Sequence, residues 1–320
     1  MFDVVALGES LIDFTPAGTS ELGMALFARN PGGAPANVLA MCAKLGARTA
    51  FIGKVGCDAF GAFLRQTMQE AGIDLSGLAV DETVPTTLAF VQLSTTGDRS
   101  FSFYRKPGAD IMLRRQDVPP DLLRDCRIFH FGGVSLTDEP CCRATLWSAQ
   151  QARQAGALVS YDPNYRPLLW QDTSSAAAQL RSALRLADLV KVSEEELVLL
   201  SDTSDLEVGA ARLRGLGPAV VVVTQGAGGA FVQTATTSVH RPAYPVAAVD
   251  TTGAGDAFWG ALLFRVRGLD TDSLRALSAA VWGDILAFAN AAGSLTTTKP
   301  GAIPAMPDAG ALRACMVAGH

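Results

Sequence analysis

Between Arg127 and Gly229 four short apolar runs recur: Ile128-Phe129-His130-Phe131, Leu158-Val159-Ser160-Tyr161, Leu189-Val190-Lys191-Val192 and Ala219-Val220-Val221-Val222-Val223. The segments between them, about 140–155, 174–186 and 207–216, carry helical periodicity. Runs apolar on both sides of the backbone mark strands covered on both faces, and strands alternating with helices make right-handed β-α-β units. The pattern predicts an α/β fold: a three-layer α/β/α sandwich around a mostly parallel central sheet. Ligands of such sheets gather beyond the carboxyl ends of the strands. Asn164, Ser193 and Thr224 each stand just after one of these runs, and Asp13 follows the first apolar run of the chain, Val4-Val5-Ala6-Leu7.

Toward the C-terminus, Asp250-Thr251-Thr252-Gly253-Ala254-Gly255-Asp256 leads into the apolar stretch 257–264, which reads as a buried helix. Glycines remove Cβ atoms where backbone must approach something closely. The helix start leaves N–H groups unpaired and adds partial positive charge, which together make an anion site. A carboxylate beside such a site repels phosphate, so Asp256 makes little sense as a binder. It makes sense as a base that takes a proton from an attacking hydroxyl, the arrangement for phosphoryl transfer from a nucleotide to an alcohol. A tight turn with Asp256 as helix cap is the competing reading of Gly253-Ala254-Gly255 alone.

Toward the N-terminus, Asp13 sits between Ile12 and Phe14, where a carboxylate needs partners such as the hydroxyls of a polyol. Asn30-Pro31-Gly32-Gly33-Ala34-Pro35-Ala36-Asn37 exposes backbone amides at two glycines and places Asn37 in the first turn of a helix, where its amide can read a hydroxyl as donor or acceptor. Asp58 is expected to cap a helix. The β-prone runs 86–93 and 100–104 flank Thr95-Thr96-Gly97-Asp98, a hairpin signal that interrupts the alternation. With residues 11–31 they are expected to form a small β-sheet lid, spanning 11–31 and 84–110 in all, over a nucleotide-binding core made of 1–10, 32–83 and 111–320. Arg105, at the end of the hairpin, is expected to reach a hydroxyl or phosphate, or else to lie on the surface.

Composition narrows the class. The 320 residues are 49% hydrophobic and 18% charged, with a net charge of −5 and no basic run, which argues against a nucleic-acid partner. Met1-Phe2-Asp3-Val4-Val5 lacks the basic and apolar regions of a signal peptide, and the apolar stretch 277–292 is interrupted by Gly283, Asp284 and Asn290, so no membrane partner is expected. Six cysteines without a CxxC pair read as reduced thiols of a cytoplasmic protein. The three histidines, His130, His240 and His320, lie far from the motifs, and none is assigned to catalysis.

The string from Asp250 to Phe258 closely resembles the C-terminal signature of the ribokinase-like sugar kinases, the PfkB carbohydrate kinase family. Asp13, Gly32-Gly33 and Asn37 resemble its N-terminal, sugar-binding signature, and the likeness extends over residues 4 to about 305. The resemblance implies ATP as phosphoryl donor, with Asp256 as base and Gly253, Ala254 and Gly255 forming the anion hole. It implies Asp13, Gly32, Gly33, Asn37, Arg105, Asn164 and Arg166 around the sugar. It gives Ser193, the glycine-rich turn Thr224, Gly226 and Gly229, and Gly255 and Asn290 to ATP. It implies Mg²⁺ held through water by Glu196, in an Asn-x-x-Glu pattern whose Asn is here Ser193, so that the usual contact of that Asn with phosphate is in question. Backbone carbonyls of Asp250, Thr252, Thr296, Gly301 and Ala305 match the family's monovalent-cation (K⁺) site. Gly8–Phe14, Phe103-Tyr104-Arg105-Lys106 and the tail from Ala291 look most like fructokinases. A 2-keto-3-deoxygluconate kinase comes next, then ribokinase or nucleoside kinase. A non-catalytic sugar-binding regulator on the same fold would not need Asp256. A dinucleotide oxidoreductase would want a third glycine after the first strand. A homodimer through the small sheet is expected, because a sheet that small leaves pairing edges open.

Overall fold

The computed structural model of the chain describes residues 1–93 and 99–318. Its strands are β1 (Phe2–Leu7), β2 (Leu11–Thr19), β3 (Ala25–Gly32), β4 (Thr49–Gly56), β5 (Asp74–Asp81), β6 (Leu88–Leu93), β7 (Arg99–Tyr104), β8 (Cys126–Gly132), β9 (Leu158–Asp162), β10 (Leu189–Ser193), β11 (Val220–Thr224), β12 (Ala230–Gln233) and β13 (Ser238–Arg241). Its α-helices are α1 (Ala34–Lys44), α2 (Ala59–Glu70), α3 (Pro120–Arg124), α4 (Cys141–Gln154), α5 (Thr173–Ala183), α6 (Glu194–Ser201), α7 (Leu206–Arg214), α8 (Ala254–Val266), α9 (Thr271–Arg275), α10 (Ala279–Thr296) and α11 (Ala309–Ala318).

Among the described residues nine strands form one sheet, in the order β13-β12-β11-β10-β9-β8-β1-β4-β5. All its pairings are parallel except those of β11 with β12 and β12 with β13. The chain runs outward from β1 to β4 and β5, then returns to the other side of β1 to lay down β8 through β11. The order therefore reverses at β1, and a crevice opens beyond the carboxyl ends of the strands there.

Alternate residues of each buried strand serve opposite layers. Val4 and Ala6 of β1, and Val220 and Val222 of β11, join the core beneath α1, α8 and α10. Val5, Leu7, Val221 and Val223 join the core beneath α4, α5 and α7. The helix α8 is buried on nearly every side from Ala257 to Leu263, so its start is held rigidly by packing.

The second sheet has the order β3-β2-β6-β7. Here the two-residue period divides function from packing. Leu11, Asp13 and Thr15 of β2 face a cavity. Phe14, between them, points the other way, stacking on Phe90 at 4.7 Å and meeting Phe60 of α2 edge-on at 5.8 Å. Asp13 thus lies inside a strand of this sheet, within the 11–31 segment expected to join it, and pairing with β3 and β6 continues across it. The hairpin turn expected at 95–98 lies outside the described residues.

The strands β5, β12 and β13 were not legible in the sequence. β5 (Asp-Leu-Ser-Gly-Leu-Ala-Val-Asp) is an edge strand with no clean alternation, and β12 and β13 are four residues each. Asp58 caps α2 as expected, accepting from the N–H groups of Phe60 and Gly61 at 3.0 and 2.8 Å. No helix among the described residues is long and apolar enough to cross a membrane.

Candidate active site

A cavity of about 940 Å³ lies between the carboxyl ends of the main-sheet strands, the start of α8 and the inner face of the second sheet. Gly253 caps α8 with φ 74, a left-handed conformation, and a Cβ there would lie 2.5 Å from that of Ala302. Glycine is therefore required by the turn itself. Gly253, Gly255 and Asp256 line the cavity where helical N–H groups lack intrahelical partners. Ala254 does not line it, and its N–H bonds within the turn to Thr251 O at 3.3 Å.

The half-buried carboxylate of Asp256 accepts a 2.8 Å hydrogen bond from Asn37 Nδ2. Asn37 is 219 positions away in sequence, in the first turn of α1, whose N-cap is Gly33. Removal from water raises the pKa of Asp256. The Asn37 bond opposes this, Asp162 adds to it, and Lys191 and Arg166 counter it.

The other carboxylate facing this space from the second sheet is Asp13. Its side chain packs against Gly32 so closely that a Cβ there would collide with Asp13 Oδ2. Burial pushes the Asp13 carboxyl up to about 6, against the pull of Arg166 and with a further push from Asp256. Glu9, just after β1, also lines the cavity and accepts from the Ala34 N–H at 2.9 Å, and burial pushes its carboxyl up to about 7.

At the carboxyl end of β10 Ser193 caps α6 in a reciprocal capping box. Its hydroxyl accepts from Glu196 N–H at 3.2 Å, and Glu196 Oε2 accepts from Ser193 N–H at 2.8 Å. Glu196 Oε1 accepts from Tyr165 N–H at 2.7 Å. The hydroxyl of Ser193 is thus turned back onto its own helix. Thr224 lines the cavity with its hydroxyl donating to Val192 O at 3.4 Å, and Asn164 and Arg166 line it from the turn after β9.

Several expected residues stand elsewhere. Arg105 is buried and does not line the cavity. Its guanidinium donates to Asp110 through Nε and Nη2 at 2.8 Å, to Thr137 Oγ1 at 2.7 Å and to Val134 O at 3.1 Å. It is not a surface residue: a buried guanidinium must satisfy its donors internally, and Asp110 does so. Asn290 is buried behind the wall, its amide donating to Arg241 O and Pro242 O at 2.9 and 3.0 Å. Gly226 and Gly229 also lie outside the lining, and Gly229 permits close approach of the 241–243 segment.

Of the carbonyl set, Asp250, Thr252 and Gly301 line the cavity, whereas Thr296 and Ala305 are buried behind it. Asp250 ties the two loops together: Oδ1 accepts from the Thr252 N–H and hydroxyl at 3.0 and 2.7 Å, and Oδ2 from Gly301 N–H at 2.9 Å. His130 is buried against Ser160, and burial pushes it down to about 4, so it is neutral and plays no part in the cavity. His320 lies outside the described residues.

Sequence reasoning missed Lys191 and Asp162. They form an ion pair of 2.6 Å, 9% and 2% exposed, and Lys191 lines the cavity. The signal was present: a lysine inside Leu-Val-Lys-Val, a strand otherwise built for a dry core, requires a partner.

The sequence profile described as pfkB family carbohydrate kinase matches residues 1–309. A protein named probable fructokinase-3 from Arabidopsis thaliana is 42% identical over 307 residues, covering 95% of this chain and 88% of that one. The crystal structure of fructokinase with bound ATP from Xylella fastidiosa superposes with a TM-score of 0.92 at 34% identity over 99% of both chains. A double mutant of the fructokinase from Vibrio cholerae O395, in its fructose-, ADP- and potassium-bound form, superposes with a TM-score of 0.86 at 36% identity over 98% of both.

Proposed function

The chain belongs to the pfkB family of carbohydrate kinases, and on that premise we propose that it transfers the terminal phosphoryl group of ATP to fructose, giving fructose 6-phosphate. The observation that carries the reading is the Asn37–Asp256 hydrogen bond, which joins the hydroxyl-reading loop to the start of α8. Asp256 takes the proton of the attacking hydroxyl while the N–H groups of the α8 turn receive charge on the phosphoryl oxygens. Asp13 accepts hydroxyl hydrogens from the sugar, and the second sheet, closing over the cavity, excludes the water that would otherwise be phosphoryl acceptor.

A divalent cation, Mg²⁺, neutralises phosphate charge when bound. Glu196 fits it as a holder of its water shell: each oxygen already accepts a backbone N–H, leaving a lone pair apiece for water. Asp250 ties together the two loops that carry Asp250, Thr252 and Gly301, and the carbonyls of Asp250, Thr252, Thr296, Gly301 and Ala305 would hold a monovalent cation, K⁺.

The test is an ATP-consumption screen over fructose, 2-keto-3-deoxygluconate, ribose, glucose and adenosine. Highest kcat/KM on fructose is expected. Preference for the sugar acid would overturn the fructose assignment and leave the kinase, and no turnover on any would overturn the kinase. A free sugar and ATP as substrates support the inference that the protein works in the cytoplasm. We also infer a homodimer through the second sheet, supported by the exposed apolar side chains Leu22, Met24, Leu26 and Phe27 at and beside its edge strand β3. Light scattering that gives the monomer mass across micromolar concentrations would exclude it.

A further inference from the structure

The lining of the cavity poses an electrostatic problem for a nucleotide. Among the described residues Glu9, Asp13, Glu195, Glu196, Asp250 and Asp256 line it, against two cations, Arg166 and Lys191. Arg166 is exposed and counts first among the charges acting on Asp13, on the sugar side. Lys191 is buried, on β10, with its Nζ 3.9 Å from where a Cβ on Gly255 would be. It is thus set against the first turn of α8, where the N–H groups meet the phosphoryl group.

Asp162 fixes it there. One carboxylate oxygen accepts from Lys191 Nζ at 2.6 Å and the other from Asn164 N–H at 3.1 Å, so the turn after β9 and the lysine of β10 are clamped together. An ammonium has three donors, and this pair occupies one. Burial lowers the pKa of the lysine, but the carboxylates of Asp162, Glu196 and Asp256 outweigh it and raise the pKa above the ordinary value, so the ammonium remains charged.

We propose that Lys191 is a catalytic residue that donates to a non-bridging oxygen of the phosphoryl group in flight, with Asp162 as its positioning residue. The inference rests on the kinase reading above. The sugar oxygen forms the new bond to phosphorus, the bond from phosphorus to the bridging oxygen breaks, and ADP leaves with the electron pair. The hydroxyl proton goes to Asp256. Lys191 keeps its protons throughout and supplies positive charge beside the α8 turn of an acidic cavity.

The test compares wild type with the charge-neutral double variant Lys191→Met/Asp162→Asn and with Lys191→Arg. It measures kcat, ADP affinity, and affinity for ADP with aluminium fluoride in the presence of fructose, a mimic of the phosphoryl group in transfer. Loss of one such donor costs about 10²–10³ in kcat. The double variant should lose about that much in kcat and in affinity for the mimic, while ADP binding is retained, because an interaction confined to the transition state leaves the ground state alone. Lys191→Arg should recover part of both. A double variant that binds ADP and keeps kcat close to wild type overturns the proposal. So does an arginine variant as slow as the neutral one, or loss of ADP binding in the double variant, which would make the pair structural. An inactive wild type would defeat the kinase reading itself, whereas an active wild type matched by its variants defeats only the role of Lys191.

Discussion

The two ends of the cavity are built by different means. The Asp256 end stands on the main sheet: a helix buried on nearly all sides, a glycine cap that no other residue fits without strain, and a hydrogen bond from Asn37 on a second buried helix. The Asp13 end stands on the four-stranded sheet, whose outer members expose Phe27 at 44% and Tyr104 at 66%. Both carboxylates have raised pKa values, and in both burial is the leading cause. The difference lies in what holds them. A group fixed from the core has one position and suits a chemical step, while a group on a lightly packed sheet suits a site that opens and closes around different sugars.

The largest expected effect tests the first half of that contrast. Asp256→Asn should lower kcat by about 10²–10⁴, the range for a positioned base, while fructose and ADP still bind. Steady-state kinetics beside calorimetric binding would check it, and a variant with more than half of the wild-type kcat would remove Asp256 as the base.

Asp13→Asn should instead act on the sugar. A hydrogen bond to a charged group contributes about 1.5–3 kcal/mol, so kcat/KM for fructose should fall about 10–100-fold with the KM for ATP unchanged. The gap between fructose and 2-keto-3-deoxygluconate should narrow, since the sugar acid no longer meets a second carboxylate. The same group gives a pH signature. Its folded-state pKa of about 6 lies above the ordinary value, so the carboxylate is lost as pH falls through about 6, and the KM for fructose should rise there in wild type. A KM flat from pH 7 to 5 would show that the charge of Asp13 is not used.

The two glycines of the α8 turn separate fold from chemistry within one end. Gly253→Ala must hold a left-handed φ against Ala302 and should lose at least about 1 kcal/mol of stability by denaturant titration. A Cβ on Gly255 would meet only Lys191, at 3.8 Å, so Gly255→Ala should keep its midpoint and lose turnover by intruding on the phosphoryl site. Equal midpoints for the two variants would break this distinction.

The smallest effect is expected at Ser193. Asparagine caps helices as well as serine does. Ser193→Asn should therefore fold normally and leave the KM for ATP the same or lower, by restoring the family's longer side chain. A tenfold rise would show that the capping box with Glu196 is fitted to the shorter hydroxyl.

Features that depend on neighbours along the chain were legible in the sequence. The runs from Ile128 to Val223 gave the parallel sheet, since covering both faces of a strand demands apolar residues without alternation. Asp250–Asp256 gave the anion turn, because glycine and a helix start are local requirements, and Asp58 announced the cap of α2 for the same reason. What only the tertiary structure decided was direction and partnership across the chain. Arg105 and Asn290 sit near the motifs in sequence yet turn into the protein, one to Asp110 and Thr137, the other to carbonyls of Arg241 and Pro242. Asn37 reaches Asp256 because α1 packs against α8, and Lys191 reaches Asp162 because β9 and β10 pair side by side. A charged or amide side chain goes where its donors and acceptors are satisfied away from water, and those partners come from strands and helices remote in sequence, so no pattern confined to its own segment could place it.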